Sequence, residues 1–169
     1  MKREVATGIQ DFETLRVERR FYVDKTNFIQ EWWKGGDSLT LITRPRRFGK
    51  TLNMSMLNCF FSDRYKNRGE LFEGLKVWED PELRKEQGKW PVIFLTFAGI
   101  KGATYQSTMV QIKKYLVKLF SQYPGLYASE KTDGNKRLAL RNITERMSEE
   151  DAVLSLNLLS TLLEMEKRF

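Results

Sequence analysis

Apolar positions along the chain change their spacing several times, and each change marks an element. Phe28, Ile29, Trp32 and Trp33 recur on one stripe within Lys25–Lys34, which predicts a helix. Asp24 stands where an N-cap would stand, and Gly35-Gly36 stop the run. Ser38–Thr43 (Ser-Leu-Thr-Leu-Ile-Thr) reads as a short strand buried on both faces. After a loop over 44–50, Thr51–Ser62 carries Leu52, Met54, Met56, Leu57, Phe60 and Phe61, the broad apolar surface of a helix packed on a sheet. Pro91–Phe97 is a second strand, apolar nearly throughout. Tyr105–Tyr123 has Met109, Ile112, Leu116, Leu119 and Phe120 at helical spacing and is closed by Pro124-Gly125. Arg137–Met147 and Glu149–Lys167 are further helices, the last capped by Ser148 with acidic residues in its first turn.

Less regular stretches lie between these elements. Phe21-Tyr22-Val23 is a brief β-favouring run, preceded by a helix-compatible Glu13–Arg19. Residues 63–90 are charged and irregular, with Leu71, Phe72, Leu75, Val77 and Trp78 pinning a short helix to the core. The order strand, loop, helix, strand, helix, helix predicts an α/β fold with a parallel sheet. Two strands are few for such a sheet, which suggests a domain that stops early. The expected division is residues 1–36, an N-terminal segment and helix; 37–62, strand, loop and helix; and 63–169, second strand and helices, all within one domain.

Composition narrows the chemistry. With 169 residues, 41% of them hydrophobic, the chain is long enough for a real core. A formal charge of +7 attracts polyanions without identifying one. There is no histidine, so Ser-His and Cys-His catalysis and histidine metal sites are excluded. The single cysteine, Cys59, excludes an internal disulfide and a multi-cysteine zinc site. No signal peptide and no apolar run of about 18 residues is present, so the expected setting is the cytoplasm.

The loop between the first strand and the helix is the strongest candidate site. Arg44-Pro45-Arg46-Arg47-Phe48-Gly49-Lys50-Thr51 ends as the phosphate-binding loop G-x-x-x-x-G-K-[ST] ends, with Arg44 in place of the first glycine. In such a loop, backbone N–H groups at a helix N-terminus hold phosphate oxygens. The lysine reaches the β- and γ-phosphates, and the hydroxyl ligates Mg²⁺. The tripeptide alone is weak, occurring by chance in roughly one chain in ten of this length. The strand before it and the helix after it are what give it weight. The plainer alternative is a surface loop with three solvated arginines.

Three signatures in sequence order carry a resemblance. Gly8-Ile9-Gln10-Asp11-Phe12, Phe21-Tyr22-Val23-Asp24-Lys25-Thr26 and Thr43–Thr51 resemble the motifs G-I-x-D-F, Y-V-D-K-T and R-P-R-R-F-G-K-[ST] of the AAA-ATPase-like family of bacterial P-loop proteins. Glu70–Leu75 and Trp90–Ile93 are similar to its later segments, so the likeness runs along essentially the whole chain. In that family Arg44 is the usual residue at its position. The resemblance implies a P-loop NTPase fold with ATP and Mg²⁺ as ligands. Arg47, Phe48, Gly49 and Leu52 would line the phosphates, Lys50 would bind them, and Thr51 would hold the metal. Tyr22 and Val23 would line the adenine pocket, although a plain N-cap at Asp24 explains that motif equally well.

Family members continue into a Walker-B strand ending in acidic residues, and often into a nuclease-like domain. The expectation is therefore an incomplete P-loop fold, truncated before the Walker-B strand. It would bind ATP without hydrolysing it, with no catalytic residue of its own, and would be marginally stable or dependent on a partner chain. The alternative is a nucleic-acid-binding or protein-interaction module that uses the Arg-rich loop. Of Trp32 and Trp33, at least one is read as a core residue before a base-stacking platform. Lys113-Lys114 and Arg64–Arg68 are read as solvated helix faces.

Overall fold

The structure, a computed structural model, describes residues 8–43, 45, 48–129 and 132–167. It divides into two units, one reaching to Val92 and one from Ile93 onward.

The first unit begins with Asp11, whose Oδ2 accepts from the backbone N–H (2.7 Å) and hydroxyl (2.8 Å) of Thr14 and so caps helix α1 (Phe12–Val17). Its other oxygen accepts from the Ser55 hydroxyl at 3.0 Å, which itself accepts from the N–H of Phe12 at 3.0 Å. These bonds tie α1 to α3 and give Asp11 and Phe12 of the first signature a structural reason. Helix α2 (Asn27–Gly35) ends at Gly36, left-handed at φ +65°, as the Gly-Gly pair predicts. Helix α3 spans Lys50–Phe61, and α4 spans Pro81–Glu86. Between them 63–90 is not featureless: short 3₁₀ turns form at Asp63–Tyr65, Gly69–Leu71 and Lys76–Glu79.

Aromatic rings fill this core. Phe12 stacks on Phe72 with centroids 5.2 Å apart, and Phe60 meets Phe72 edge-on at 5.0 Å. Trp32 and Trp33 both meet Phe61, at 5.3 and 5.2 Å; Trp32 packs against the core, while Trp33 is 36% exposed.

The second unit is built on α5 (Tyr105–Phe120), α6 (Gly125–Ala128), α7 (Gly134–Asn142) and α8 (Glu149–Lys167). Thr104 and Ser107 cap α5 reciprocally, and Ser148 accepts from the Asp151 N–H at the start of α8. Leu116, Leu119 and Phe120 of α5 meet Leu159, Leu162 and Leu163 of α8 across the core, with Leu126 and Leu140 closing it. Pro124-Gly125 do not merely end a helix; they open α6.

The expected parallel sheet does not form. No strand occurs among the described residues, and the fold is 59% helical, so it is not an α/β P-loop fold. A strand is stable only when neighbouring chains take its N–H and C=O groups. Residues 38–43 meet no neighbouring strand among the described residues: Leu39 and Leu41 are 87% and 82% exposed, against the expectation of burial on both faces. The Trp32 indole N–H donating to the Thr40 hydroxyl (3.1 Å) attaches this run to α2. Just before the other run, Ser62 and Trp90 form one isolated parallel bridge. Beyond it Val92 packs on the first core, while Ile93 and Leu95 pack on the second. Their apolar character is satisfied by helices instead of a sheet.

No helix among the described residues is long and apolar enough to cross a membrane.

Candidate functional site

Gly49 opens α3 in the left-handed region, φ +75° and ψ 19°, where a side chain is strained. Its carbonyl accepts the first helical bond, from the N–H of Asn53 at 2.9 Å. Among the described residues no side chain caps this end, and the first turn holds no acidic residue. The positive end of the α3 dipole therefore meets no carboxylate from its own turn. Lys50 is half-buried, Thr51 is exposed, and Leu52 turns into the first core. Phe48 stands 55% exposed just before the glycine. Arg47, and Arg44 and Arg46 with it, lie outside the described residues.

A cavity of about 540 Å³ opens beside this turn. Phe48, Asn53, Thr40, Lys25, Phe28 and Glu31 are among the residues that line it. Its volume lies within the roughly 300–1,000 Å³ of small-molecule sites. Of the residues expected to hold a nucleotide, Phe48 lines the cavity; Lys50, Thr51 and Leu52 follow in the adjoining turn without lining it.

The Tyr22–Thr26 signature sits differently from its expectation. Tyr22 is directed into the protein: its hydroxyl donates to Met56 Sδ at 3.3 Å, its ring edge meets Phe12, and burial pushes its phenol up to about 12. Val23 is 60% exposed. Neither lines the cavity; Lys25 of the same signature does. A Cβ placed on Gly49 would lie 3.8 Å from Lys25 Nζ, so the ammonium stands against the glycine turn.

Asp24 is not the N-cap of α2. That position falls to Thr26, which makes no side-chain cap. Asp24 Oδ1 accepts from the Thr26 N–H (2.8 Å) and hydroxyl (2.6 Å), and Oδ2 accepts from the Lys76 N–H at 2.8 Å. Burial pushes this carboxyl up, but the bonds from the Thr26 hydroxyl and the two backbone N–H groups outweigh it and hold it below its ordinary value. The fully buried Thr26 hydroxyl in turn accepts from the Val77 N–H at 3.1 Å. The aspartate thus braces the chain before α2 against the turn at Lys76–Glu79.

Lys25, Phe28 and Asn53 were not among the sequence-predicted ligands. Lys25 was within reach, because it belongs to the same signature as Tyr22; Phe28 and Asn53 carried no signal beyond helical periodicity.

The donor set suits a polyphosphate. It offers two lysines near an uncapped helix start, with the Phe28 and Phe48 rings in the cavity as apolar surface for a base. Magnesium would find the Thr51 hydroxyl and the phosphate oxygens themselves. Among the described residues no group of three or more His, Cys, Asp or Glu side chains is arranged to hold a metal.

A family described as predicted AAA-ATPase matches residues 6–155. An uncharacterised protein from the vnfD 5′ region of Azotobacter chroococcum mcd 1 is 31% identical over 99 residues, covering 58% of this chain and 18% of that protein. The chain therefore spans a small part of this relative's length. No solved structure matches.

Proposed function

The chain belongs to the AAA-ATPase-like family of predicted AAA-ATPases, and on that premise we propose that it binds a nucleoside triphosphate, ATP with Mg²⁺, at the start of α3. The observation that carries this reading is the Phe48-Gly49-Lys50-Thr51 turn. A left-handed glycine opens an uncapped twelve-residue helix beside a cavity of nucleotide size. Lys50 neutralises the phosphates, Thr51 supplies the metal's protein ligand, and backbone N–H groups of the turn receive phosphate oxygens. Phe28 and Phe48 offer ring faces to the base.

Binding without turnover is proposed for these 169 residues, because no apolar run in the sequence ends in the acidic pair that would orient an attacking water. Titration of the purified chain with Mg-ATP by calorimetry tests the reading. Lys50→Ala is expected to weaken binding at least about tenfold, the worth of a charge-assisted contact. Release of inorganic phosphate above background would refute the absence of turnover.

The three arginines of the loop and the charge of +7 favour one rival, binding to a nucleic-acid backbone. Salt-dependent DNA binding that survives Lys50→Ala, with no ATP affinity, would select it.

A further inference from the structure

We propose that Lys25 is a second phosphate-binding cation of this site, acting beside the Gly49-Lys50 turn. The inference rests on the nucleotide reading above and adds a residue that the phosphate-loop motif does not contain.

The first argument is position. Lys25 lines the cavity, and its Nζ stands against Gly49, the residue at which a phosphate-holding turn needs the least bulk. A nucleotide phosphate received by the N–H groups of that turn therefore comes within reach of the Lys25 ammonium.

The second is charge. A surface lysine commonly finds a neighbouring carboxylate, and the adjacent residue here is one, Asp24. Both Asp24 oxygens are taken by Thr26 and by the Lys76 N–H. The Lys25 ammonium makes no ion pair among the described residues. Its charge is left for a ligand. Among the described residues that line the cavity, Glu31 is the carboxylate.

The third is rigidity. The Lys25 backbone is held on both sides: its own N–H donates to the Tyr22 hydroxyl (3.3 Å), and the Asp24–Thr26–Val77 bonds fix the following residue. An anchored backbone removes much of the ordering cost of aiming a long side chain at a ligand. Lysine, a compact charge on a flexible stem, suits a phosphate approached from one side.

The test compares the whole chain with its Lys25→Ala, Lys25→Arg and Lys50→Ala variants, titrated with Mg-ATP and with inorganic tripolyphosphate at 50 and 200 mM salt. Lys25→Ala is expected to weaken both ligands at least about tenfold and to flatten the salt dependence, as loss of one phosphate contact does. Lys25→Arg is expected to keep most of the affinity, and the unfolding midpoint of Lys25→Ala to match the wild type.

Wild-type affinity in Lys25→Ala beside a loss in Lys50→Ala would overturn the role of Lys25 and leave the nucleotide reading standing. Weakened ATP binding with unchanged tripolyphosphate binding would overturn it too, by placing Lys25 on the base or sugar. If Lys25→Ala also lowers the unfolding midpoint, failure of Lys25→Arg to restore binding overturns it. No binding of either ligand by the wild type would remove both readings together.

Discussion

Removing the Asp24 carboxylate is the sharpest test of how the first unit is braced. Asp24 receives three hydrogen bonds, two from Thr26 and one from the Lys76 N–H. Bonds to a charged acceptor are worth about 1.5–3 kcal/mol each, but these share one half-exposed carboxylate and do not add. The Thr26 hydroxyl is fully buried, and without Asp24 it becomes a donor lacking its acceptor. We expect Asp24→Ala to cost about 3 kcal/mol. Asp24→Asn should cost about half of that, because its amide oxygen still serves Thr26 while its NH₂ opposes the Lys76 N–H. All four tryptophans, Trp32, Trp33, Trp78 and Trp90, lie in the first unit, so tryptophan fluorescence during urea unfolding reads that unit alone. With a slope of about 2 kcal/mol/M, Asp24→Ala shifts the midpoint down by about 1.5 M at pH 7. The pH dependence has a definite sign. The folded carboxyl lies below its ordinary value, so its stabilisation is complete above about pH 4 and fades as pH falls through the lower folded value. Asp24→Asn should lack that acid-side loss. A midpoint within about 0.2 M of wild type at pH 7 would refute the brace.

Three further outcomes are expected. Gly49→Ala should destabilise the first unit by about 1–2 kcal/mol through its left-handed backbone alone, since the nearest atom to the added carbon is Lys25 Nζ at 3.8 Å; an unchanged midpoint in urea would show that the turn relaxes. Cys59 is fully buried and its thiol is pushed up to about 11 by burial, so iodoacetamide at pH 8 should label it only as the first unit opens; labelling at the rate of a free thiol would contradict that packing. Leu39→Lys with Leu41→Lys should leave the unfolding midpoint within about 0.5 kcal/mol and reduce self-association in sedimentation, because both side chains stand in solvent on an unpaired extended run; a large loss of stability would mean they are buried in solution.

Helices were legible in the sequence because helical hydrogen bonds are local. The stripe of Phe28, Ile29 and Trp32, the Gly36 stop, the Ser148 cap and the span Glu149–Lys167 can each be read within a few turns of chain. The strands were not legible in the same sense. Ser38–Thr43 and Pro91–Phe97 carry β-favouring side chains, yet a strand is completed by a partner far away in sequence, and among the described residues neither run forms a strand, the isolated bridge falling at Trp90 just before the second. The site divides in the same way. Motif spacing named the Gly49-Lys50-Thr51 turn, and Gly49 stands in the left-handed region at the start of α3. The placement of Lys25 against Gly49, and the turning of Tyr22 toward Met56, depend on how Asp24 and Thr26 fasten the chain to residues 76 and 77, some fifty positions on. By itself the sequence determined the place of α2, α3, α5 and α8 and the phosphate-loop motif, written in contacts a few residues apart; α4 and α6 were not foreseen, the helix expected over 137–147 runs instead over Gly134–Asn142, and the cap expected at Asp24 falls to Thr26. Only the tertiary structure decided that neither apolar run forms a strand among the described residues, Leu39 and Leu41 standing in solvent while Val92, Ile93 and Leu95 pack on helices, and that Lys25 lines the cavity. Both are settled by contacts between distant residues, and periodicity along the chain does not encode those.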